Sequence, residues 1–215
     1  MASTGSRAIS ASLTQDHGCK KHQIRDPDIR RALVGTRLRH ISERRGGIIV
    51  HELGLAHAKS RIDVAAINGM IHGFEIKSAQ DNLERLPYQL EIYAQALQKL
   101  TLVVASRHLE AVEKRTPFWC GIIDVSAGPR GGTRLQTIRR GARNPSLNPF
   151  VFVHLLWKDE VRDALASRGA SKAELRAPRA ALYRQLIATA SESELTEIIK
   201  SAMMMRRAWR DHSSP

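Results

Sequence analysis

Three charged residues stand in a stretch that otherwise has the composition of two buried β-strands. Residues 61–81 read RIDVAAINGMIHGFEIKSAQD, and Asp63, Glu75 and Lys77 lie among β-branched and aromatic side chains. Burying an unpaired carboxylate is costly, and two neighbouring carboxylates repel each other. A divalent cation relieves both problems, and an adjacent ammonium group can neutralise a phosphate or hold an attacking water. These residue types therefore suit hydrolysis of a phosphodiester bond; the alternative is a simple ion pair of Lys77 with either acid on a solvated sheet face.

The turn of this hairpin decides whether the charges can act together. An Asn-Gly pair at the tip is a strong turn signal. A two-residue turn would place Asp63 and Glu75 on opposite faces of the sheet. A loop of three residues, 68–70, would instead pair Ile67 with Ile71 and set the two carboxylates opposite each other, with the ammonium group on the same side. A bulge in the second strand would have the same effect. Joint action of the charges therefore requires the second kind of register.

The elements around this hairpin predict an α/β fold. Apolar periodicity and short apolar runs indicate a helix at 26–45, a strand at 48–55, a helix at about 83–97, a strand at 100–106, a short helix at 107–114 and a strand at 118–126. Asp81 or Asn82 is expected to cap the second of these helices. The order of elements favours a small mixed central β-sheet flanked by helices, with a C-terminal helical extension.

Three segments are predicted along the chain. Residues 1–25 are expected to form a disordered basic tail rather than an organelle transit peptide. Residues 26–150 carry the sheet pattern and include one edge strand expected near Leu135. Residues 151–215 are predicted to be almost wholly helical, with capping-box spacings. These helices could form a helix-turn-helix DNA reader, but a helical cap on the core is favoured.

The charge of the chain points to a polyanionic partner. The 215 residues carry a formal net charge of +13, and the sequence pI is about 10.5. Residues 129–143 contain five arginines and no acid. Nucleic acid is the partner that this balance favours, and DNA is the expected form. The alternative is a basic surface that only keeps the protein in solution.

Composition also excludes several classes of protein. No apolar run is long enough for a transmembrane helix, and the N-terminus lacks the apolar segment of a secretory signal. Cys19 and Cys120 do not suggest a disulfide framework, so a reducing cytoplasm is the expected location. HELGLAH at 51–57 lacks the spacing of two histidines that a zinc-protease helix needs, and GPRGG is not followed by the Lys-Ser/Thr pair of a phosphate loop.

Taken in order along the chain, the motif residues resemble the PD-(D/E)XK nuclease superfamily. Asp63 is followed on the next predicted strand by EIK at 75–77, which matches the Asp and Glu-x-Lys of that superfamily. Glu52 stands where many members have an upstream Glu. The stretch 28–105 resembles a poorly characterised bacterial branch. The Pro of the motif's name is absent, and Ile62 stands in its place.

A second motif extends the resemblance to the RecB-like branches. These carry a Gln-x-x-x-Tyr helix after the Glu-x-Lys strand, and this chain has Gln89 and Tyr93. The four-residue spacing puts both side chains on one helix face. The resemblance implies that these two residues, with Arg61, brace the site or bind the substrate. The alternative is that Tyr93 belongs to the apolar stripe of the helix and Gln89 only flanks it.

The resemblance also implies a cofactor and a role for each remaining residue. Mg²⁺ or Mn²⁺ would be bound by Asp63 and Glu75, with the backbone carbonyl of Ile76 as a third ligand and Glu52 binding directly or through water. Lys77 would orient the nucleophilic water and stabilise negative charge that develops on the phosphate.

Three functions are therefore weighed from the sequence. The leading hypothesis is a metal-dependent nuclease that acts on DNA. The second is a nuclease-like module that binds nucleic acid without cleaving it. The third is a phage or mobile-element accessory protein that works through protein contacts. Strand preference, mode of cleavage and oligomeric state stay open.

Overall fold

A six-stranded mixed β-sheet forms the centre of the molecule. The structure is a computed structural model, and it describes residues 24–43, 46–128 and 131–212, with the side chains of 42 and 207–212 left out. The strands are β1 (Ile48–Leu55), β2 (Ser60–Ile67), β3 (Ile71–Lys77), β4 (Lys99–Ala105), β5 (Gly121–Ala127) and β6 (Thr133–Arg139). The predicted α/β class, the mixed sheet and the expected strand near Leu135 are confirmed.

Strand order in the sheet follows chain order. β1, β2 and β3 are antiparallel neighbours, β3 to β5 run parallel, and β6 returns antiparallel to β5. The parallel connections need crossovers, and helices supply them. The carboxyl ends of β3, β4 and β5 consequently share one edge of the sheet.

The described part of the chain contains eight α-helices, one π-helical turn and two 3₁₀ turns. The α-helices are α1 (Asp26–Ala32), α2 (Arg39–Glu43), α3 (Leu86–Ala96), α4 (Leu109–Arg115), α5 (Pro149–Val153), α6 (Lys158–Ala166), α7 (Arg179–Thr189) and α8 (Glu192–His212). A π-helical turn (Leu33–Arg37) joins α1 to α2, and 3₁₀ turns lie at Ser106–His108 and Glu174–Arg176. Within the described ranges, no helix combines the length and apolarity needed to cross a lipid bilayer.

Two helix predictions were wrong at their boundaries. The single helix expected over 26–45 is interrupted, because the backbone N–H of Leu38 donates to the Leu33 carbonyl across a π-type turn. Helix α3 begins at Leu86 and not at about residue 83, so neither Asp81 nor Asn82 caps it. Asp81 is engaged elsewhere: its carboxylate accepts from the backbone N–H of Ser78 at 2.7 Å and closes the turn after β3.

The register of the β2–β3 hairpin is the one that the chemistry required. Ile67 pairs with Ile71 across the three-residue loop 68–70, so Asp63 lies across from Glu75 just beyond the last ladder pair. Gly69 has a φ of 71°, a left-handed conformation that suits glycine. The predicted pairing of Ile67 with Ile71 is confirmed, and a shared side for the two carboxylates stays a prediction.

Apolar side chains pack on both faces of the sheet. The larger cluster combines α3 with sheet residues such as Leu100 and Leu102, and it continues into the C-terminal helices through Phe152 and Leu186. The smaller cluster packs Ile29 and other residues of the first helices on the opposite face. The C-terminal helices therefore share a core with the sheet, as expected of a helical cap; the boundary predicted near residue 150 coincides with the start of α5.

Gly121 marks a close approach that a side chain would disrupt. A Cβ atom at this position would lie 2.6 Å from the Thr101 hydroxyl oxygen and 2.9 Å from the backbone nitrogen of Gly141. We expect Gly121→Ala to destabilise the protein by about 1–3 kcal/mol, because backbone cannot move aside as a flexible side chain can. Urea denaturation measures the change. Gly35→Ala is the matched control, since nothing lies within 4 Å of its Cβ position, and loss of stability in both variants alike would contradict the packing argument.

Candidate active site on strands β2 and β3

Glu75 and Lys77 meet side chains of α3 at the carboxyl end of β3. The Lys77 Nζ donates to Glu75 Oε1 at 2.7 Å and to Gln89 Oε1 at 3.0 Å. Gln89 Nε2 donates in turn to Glu75 Oε1 at 2.8 Å. Only 3% of the Glu75 side chain and 12% of the Lys77 side chain are exposed. The alternative drawn from the sequence was an ion pair on a solvated face. The ion pair is present, but it is buried within a hydrogen-bond network.

The Tyr93 hydroxyl completes this hydrogen-bond network one helical turn after Gln89 on α3. Its hydroxyl donates to Glu75 Oε2 at 2.7 Å or to the Arg61 carbonyl at 2.9 Å, and it accepts from Gln89 Nε2 at 3.1 Å. Burial, together with the charge of Glu75, raises the pKa of Tyr93 well above its usual range. The side chain is fully buried within the larger apolar cluster. Of the two roles that the sequence implied, bracing fits this position; the core assignment is also met, since the ring is buried in the larger apolar cluster.

Asp63 lies on the neighbouring strand with a carboxylate that is held from two sides. Oδ2 accepts from the backbone N–H of Ile76 at 2.7 Å, and Oδ1 lies 3.3 Å from the Arg30 guanidinium. Burial raises the pKa of Asp63 to about 7, and the nearby charge of Glu75 acts in the same direction, while the Ile76 N–H and Arg30 oppose it. Two close carboxylates in a partly buried site explain this balance.

Glu52 faces Asp63 across the β1–β2 pair at an irregular point of the ladder. The ladder pairs His51 with Val64 and Leu53 with Ile62 and omits the position between them. Glu52 has a φ of 54°, which is uncommon for a residue with a side chain. Such conformations persist where the surrounding structure holds them, and they are often found at functional sites. The irregularity thus coincides with the two acids that the sequence singled out.

Arg30 of α1 is a member of the site that the sequence did not indicate. Its guanidinium lies 2.8 Å from Glu52 Oε1, and it donates to the backbone carbonyl of Asp63 at 2.6 Å. Burial lowers the pKa of Arg30, but the charges of Asp26, Asp63 and Glu52 outweigh it, so the pKa is raised. No feature of the sequence links a helix residue at position 30 to a strand residue 33 positions later.

Arg61 is the most exposed of the candidate residues. Its side chain is 64% exposed and lies 3.8 Å from Glu52 Oε2. Gln89 and Tyr93 direct their polar atoms inward to Glu75 and to each other. Among the predicted substrate-binding residues, Arg61 is therefore the one whose charge is presented to solvent.

The carboxylates of the site can be judged against the ligands that Mg²⁺ or Mn²⁺ requires. In the described part of the chain, no three His, Cys, Asp or Glu side chains are grouped as they would be around a metal ion. Mg²⁺ commonly uses only one or two carboxylates and completes its shell with water and substrate phosphate. Asp63 and Glu75 fit this smaller requirement, since burial and then the nearby charge of Glu75 raise the pKa of Asp63, as expected where a cation would relieve the site. Glu52 is held by Arg30, so its part in metal binding stays a prediction.

Replacement of Tyr93 by Phe tests whether the hydroxyl group is structural. Tyr93→Phe would leave Glu75 Oε2 and the Arg61 carbonyl without their donor. We expect a loss of about 1–3 kcal/mol in the free energy of unfolding, measured by urea denaturation, because buried acceptors would lose a partner. Tyr88→Phe, at an exposed position of the same helix, is the control. Equal stability of Tyr93→Phe and the wild type would show that packing alone explains this residue.

Comparison with known proteins places the chain near a phage protein. The sequence profile described as "Bacteriophage P4 protein cII" matches residues 20–213. Protein cII of Enterobacteria phage P4 is 34% identical over 121 residues, which are 56% of this chain and 46% of the phage protein. The chain thus spans about half the length of the curated relative that it matches.

The chain also has a weak similarity to a protein of solved structure. The SPO1766 protein of unknown function from Silicibacter pomeroyi is 18% identical and covers 68% of this chain and 94% of its own. The TM-score is 0.41, a value too low to establish a common fold.

Proposed function

The chain belongs to the bacteriophage P4 protein cII family, and we propose that it is a metal-dependent nuclease that hydrolyses phosphodiester bonds of DNA in the cytoplasm. One observation carries the proposal: Asp63 lies on the strand next to Glu75 and Lys77, and Gln89 and Tyr93 of α3 contact Glu75. The proposal follows the resemblance of these residues to the motifs of PD-(D/E)XK nucleases. Membership of that superfamily is part of the proposal.

Each residue has a task in the proposed reaction. Asp63 and Glu75 would hold Mg²⁺ or Mn²⁺, with the Ile76 carbonyl nearby. The ion, when bound, would supply Lewis-acid polarisation of the phosphate. Two of the three Lys77 donors are used by Glu75 and Gln89, so the third can hold the attacking water or a phosphate oxygen.

Positioning falls to residues that do not meet the substrate. Gln89 and Tyr93 fix the rotamers of Glu75 and Lys77, and preorganised groups of this kind stabilise charge without a cost of rearrangement during the reaction. Arg61, at the exposed rim, would contact the backbone of the nucleic acid as a phosphate-binding cation.

A second candidate is a nucleic-acid-binding accessory protein of a phage that no longer cleaves. Every oxygen of Asp63 and Glu75 already has a protein donor or cation within 3.3 Å. Arg30 further neutralises Glu52 and Asp63, as a metal ion would. Membership of a phage protein family supports this accessory role more directly than it supports cleavage.

Measuring binding and cleavage on the same protein separates the candidates. Labelled duplex and single-stranded DNA are titrated with the full chain over a range of salt concentrations in EDTA, and the same mixtures are then given Mg²⁺. The proposal expects salt-sensitive binding followed by cleavage. Binding without cleavage favours the accessory protein, and no affinity at low salt favours a role through protein contacts alone.

A further inference from the structure

A concave surface lies on the face of the sheet opposite Glu75 and Lys77. It is a pocket of about 330 Å³ between α2, the first residues of β3 and β4, and the end of β6. His72 and Phe74 of β3 line it, whereas Glu75 and Lys77 of the same strand belong to the candidate active site. Neighbouring side chains of a strand point to opposite faces, so the sheet separates the pocket from Glu75 and Lys77.

The charged groups that line this pocket are all cationic. They are Arg37, Lys99, Arg139 and Arg140. Among the described side chains, none of the four forms an ion pair with a carboxylate, in contrast to the paired arginines elsewhere on the surface. Four cations without a carboxylate partner around one pocket favour the binding of an anion.

Two of these cations are fixed in place by neutral partners. Arg37 donates to the Leu135 carbonyl at 2.7 Å, and Arg139 donates to the Cys120 carbonyl at 2.8 Å. These bonds hold the guanidinium groups without cancelling their charge. Arg140 is exposed and has no side-chain hydrogen bond among the described residues, so its donors are available.

The floor of the pocket is apolar and partly aromatic. Ile41, Phe74 and Ile123 line it, and the His72 ring lies 4.1 Å from the Phe74 ring. His72 Nε2 is bonded to the Thr101 hydroxyl at 2.8 Å. Burial, with the charge of Lys99, lowers the pKa of His72 to about 3, so the ring is neutral at neutral pH. A pocket with an apolar floor and a few placed polar groups is typical of small-ligand sites.

We propose that this pocket binds one nucleotide unit, with its phosphate on the cationic rim and its base against the apolar floor. The unit could be a free nucleoside 5′-monophosphate or one residue of a nucleic acid strand, which present the same chemistry. A sugar-phosphate backbone without a base would leave the apolar floor without a partner, and an uncharged ligand would leave the four cations without one. The inference does not depend on cleavage at the candidate active site, because the two sites share no residue.

Charge reversal at one rim residue tests the pocket. The full chain is titrated with a fluorescent adenosine 5′-monophosphate and, separately, with a short single-stranded oligonucleotide. Arg140→Glu is expected to weaken binding by about 10–100-fold, since a charge-assisted contact becomes repulsive. Arg184→Glu, an exposed arginine on α7 with the same change in charge, is expected to stay within about twofold of the wild type.

The outcomes distinguish the sources of the ligand. If Arg140→Glu, and not Arg184→Glu, loses binding of the mononucleotide, the ligand of the pocket is a free nucleotide. If Arg140→Glu loses binding of the oligonucleotide only, the ligand is one residue of a nucleic acid strand. Four results would overturn the proposal. Arg140→Glu and Arg184→Glu could have equal effects, or neither could have an effect. The wild type could fail to bind, or inorganic phosphate could bind as tightly as the nucleotide. Glu75→Gln is expected to keep nucleotide binding at this pocket even where it abolishes cleavage, so failure of one proposal is separable from failure of the other.

Discussion

Lys77→Met is expected to lower the rate of DNA cleavage by about 10²–10³-fold, the usual effect of removing one group that stabilises transition-state charge. Lys77 is the one cation that contacts Glu75 in the described structure, and only its third N–H is uncommitted. Methionine fills a similar volume but cannot donate. Initial rates on a labelled oligonucleotide in Mg²⁺, corrected for the folded fraction, measure the effect.

The controls separate chemistry from stability. Removing Lys77 leaves the buried Glu75 carboxylate with neutral donors only, so Lys77→Met also destabilises the fold, by roughly 3–5 kcal/mol if the charge is retained. Lys77→Arg keeps the positive charge but not the compact ammonium geometry, and we expect it to be better folded yet still slow. Lys114→Met, at an exposed lysine, should behave as the wild type. Undiminished cleavage by folded Lys77→Met would remove Lys77 from the mechanism.

The stability of the protein is expected to fall as the pH rises from 5 to 8, because of Asp63. In the unfolded chain this carboxyl loses its proton near the usual pKa of 3.8, whereas the folded state keeps it up to about 7. Between these values the unfolded state binds fewer protons, so each step upward in pH favours unfolding. The drop from pH 5 to pH 8 amounts to about 3 kcal/mol, and above pH 7 it is complete.

Urea denaturation at the two pH values measures this contribution. Asp63→Asn has no proton to lose, so its stability should change less between pH 5 and pH 8 than that of the wild type. Mg²⁺ at pH 8 should stabilise the wild type and not the variant, since a ligand that binds only the folded state raises its stability. Parallel profiles of stability against pH for the two proteins would show that the folded state does not raise the pKa of Asp63.

Local patterns in the sequence predicted the register of the β2–β3 hairpin and the helix face that Gln89 and Tyr93 share. The Asn-Gly signal, combined with the need to bring Asp63 and Glu75 to one side, selected the three-residue loop that the structure has. The i, i+4 spacing of Gln89 and Tyr93 likewise predicted a shared helix face, and both contact Glu75. These features depend on periodicity within one hairpin or one helix, which the order of residues encodes directly.

Contacts between distant elements could not be predicted in the same way. Arg30 reaches Glu52 and Asp63 because α1 packs on the sheet, a tertiary arrangement without a local signature. The left-handed backbone of Glu52 is equally unexpected, since glycine is the residue that usually marks such positions. The nucleotide pocket combines Arg37 with Arg139, which are far apart in the chain, so only the basic composition of residues 129–143 hinted at it.

The central claim is that Asp63, Glu75 and Lys77 form a metal-dependent hydrolytic centre, and cleavage with and without metal tests it most directly. Wild-type protein and Glu75→Gln are incubated with end-labelled DNA in Mg²⁺ or in EDTA, at a protein concentration that saturates binding. The account predicts cleavage by the wild type in Mg²⁺ only, and none by Glu75→Gln in either condition. Saturating binding without cleavage by the wild type, or cleavage that survives both EDTA and the Glu75→Gln change, would contradict it.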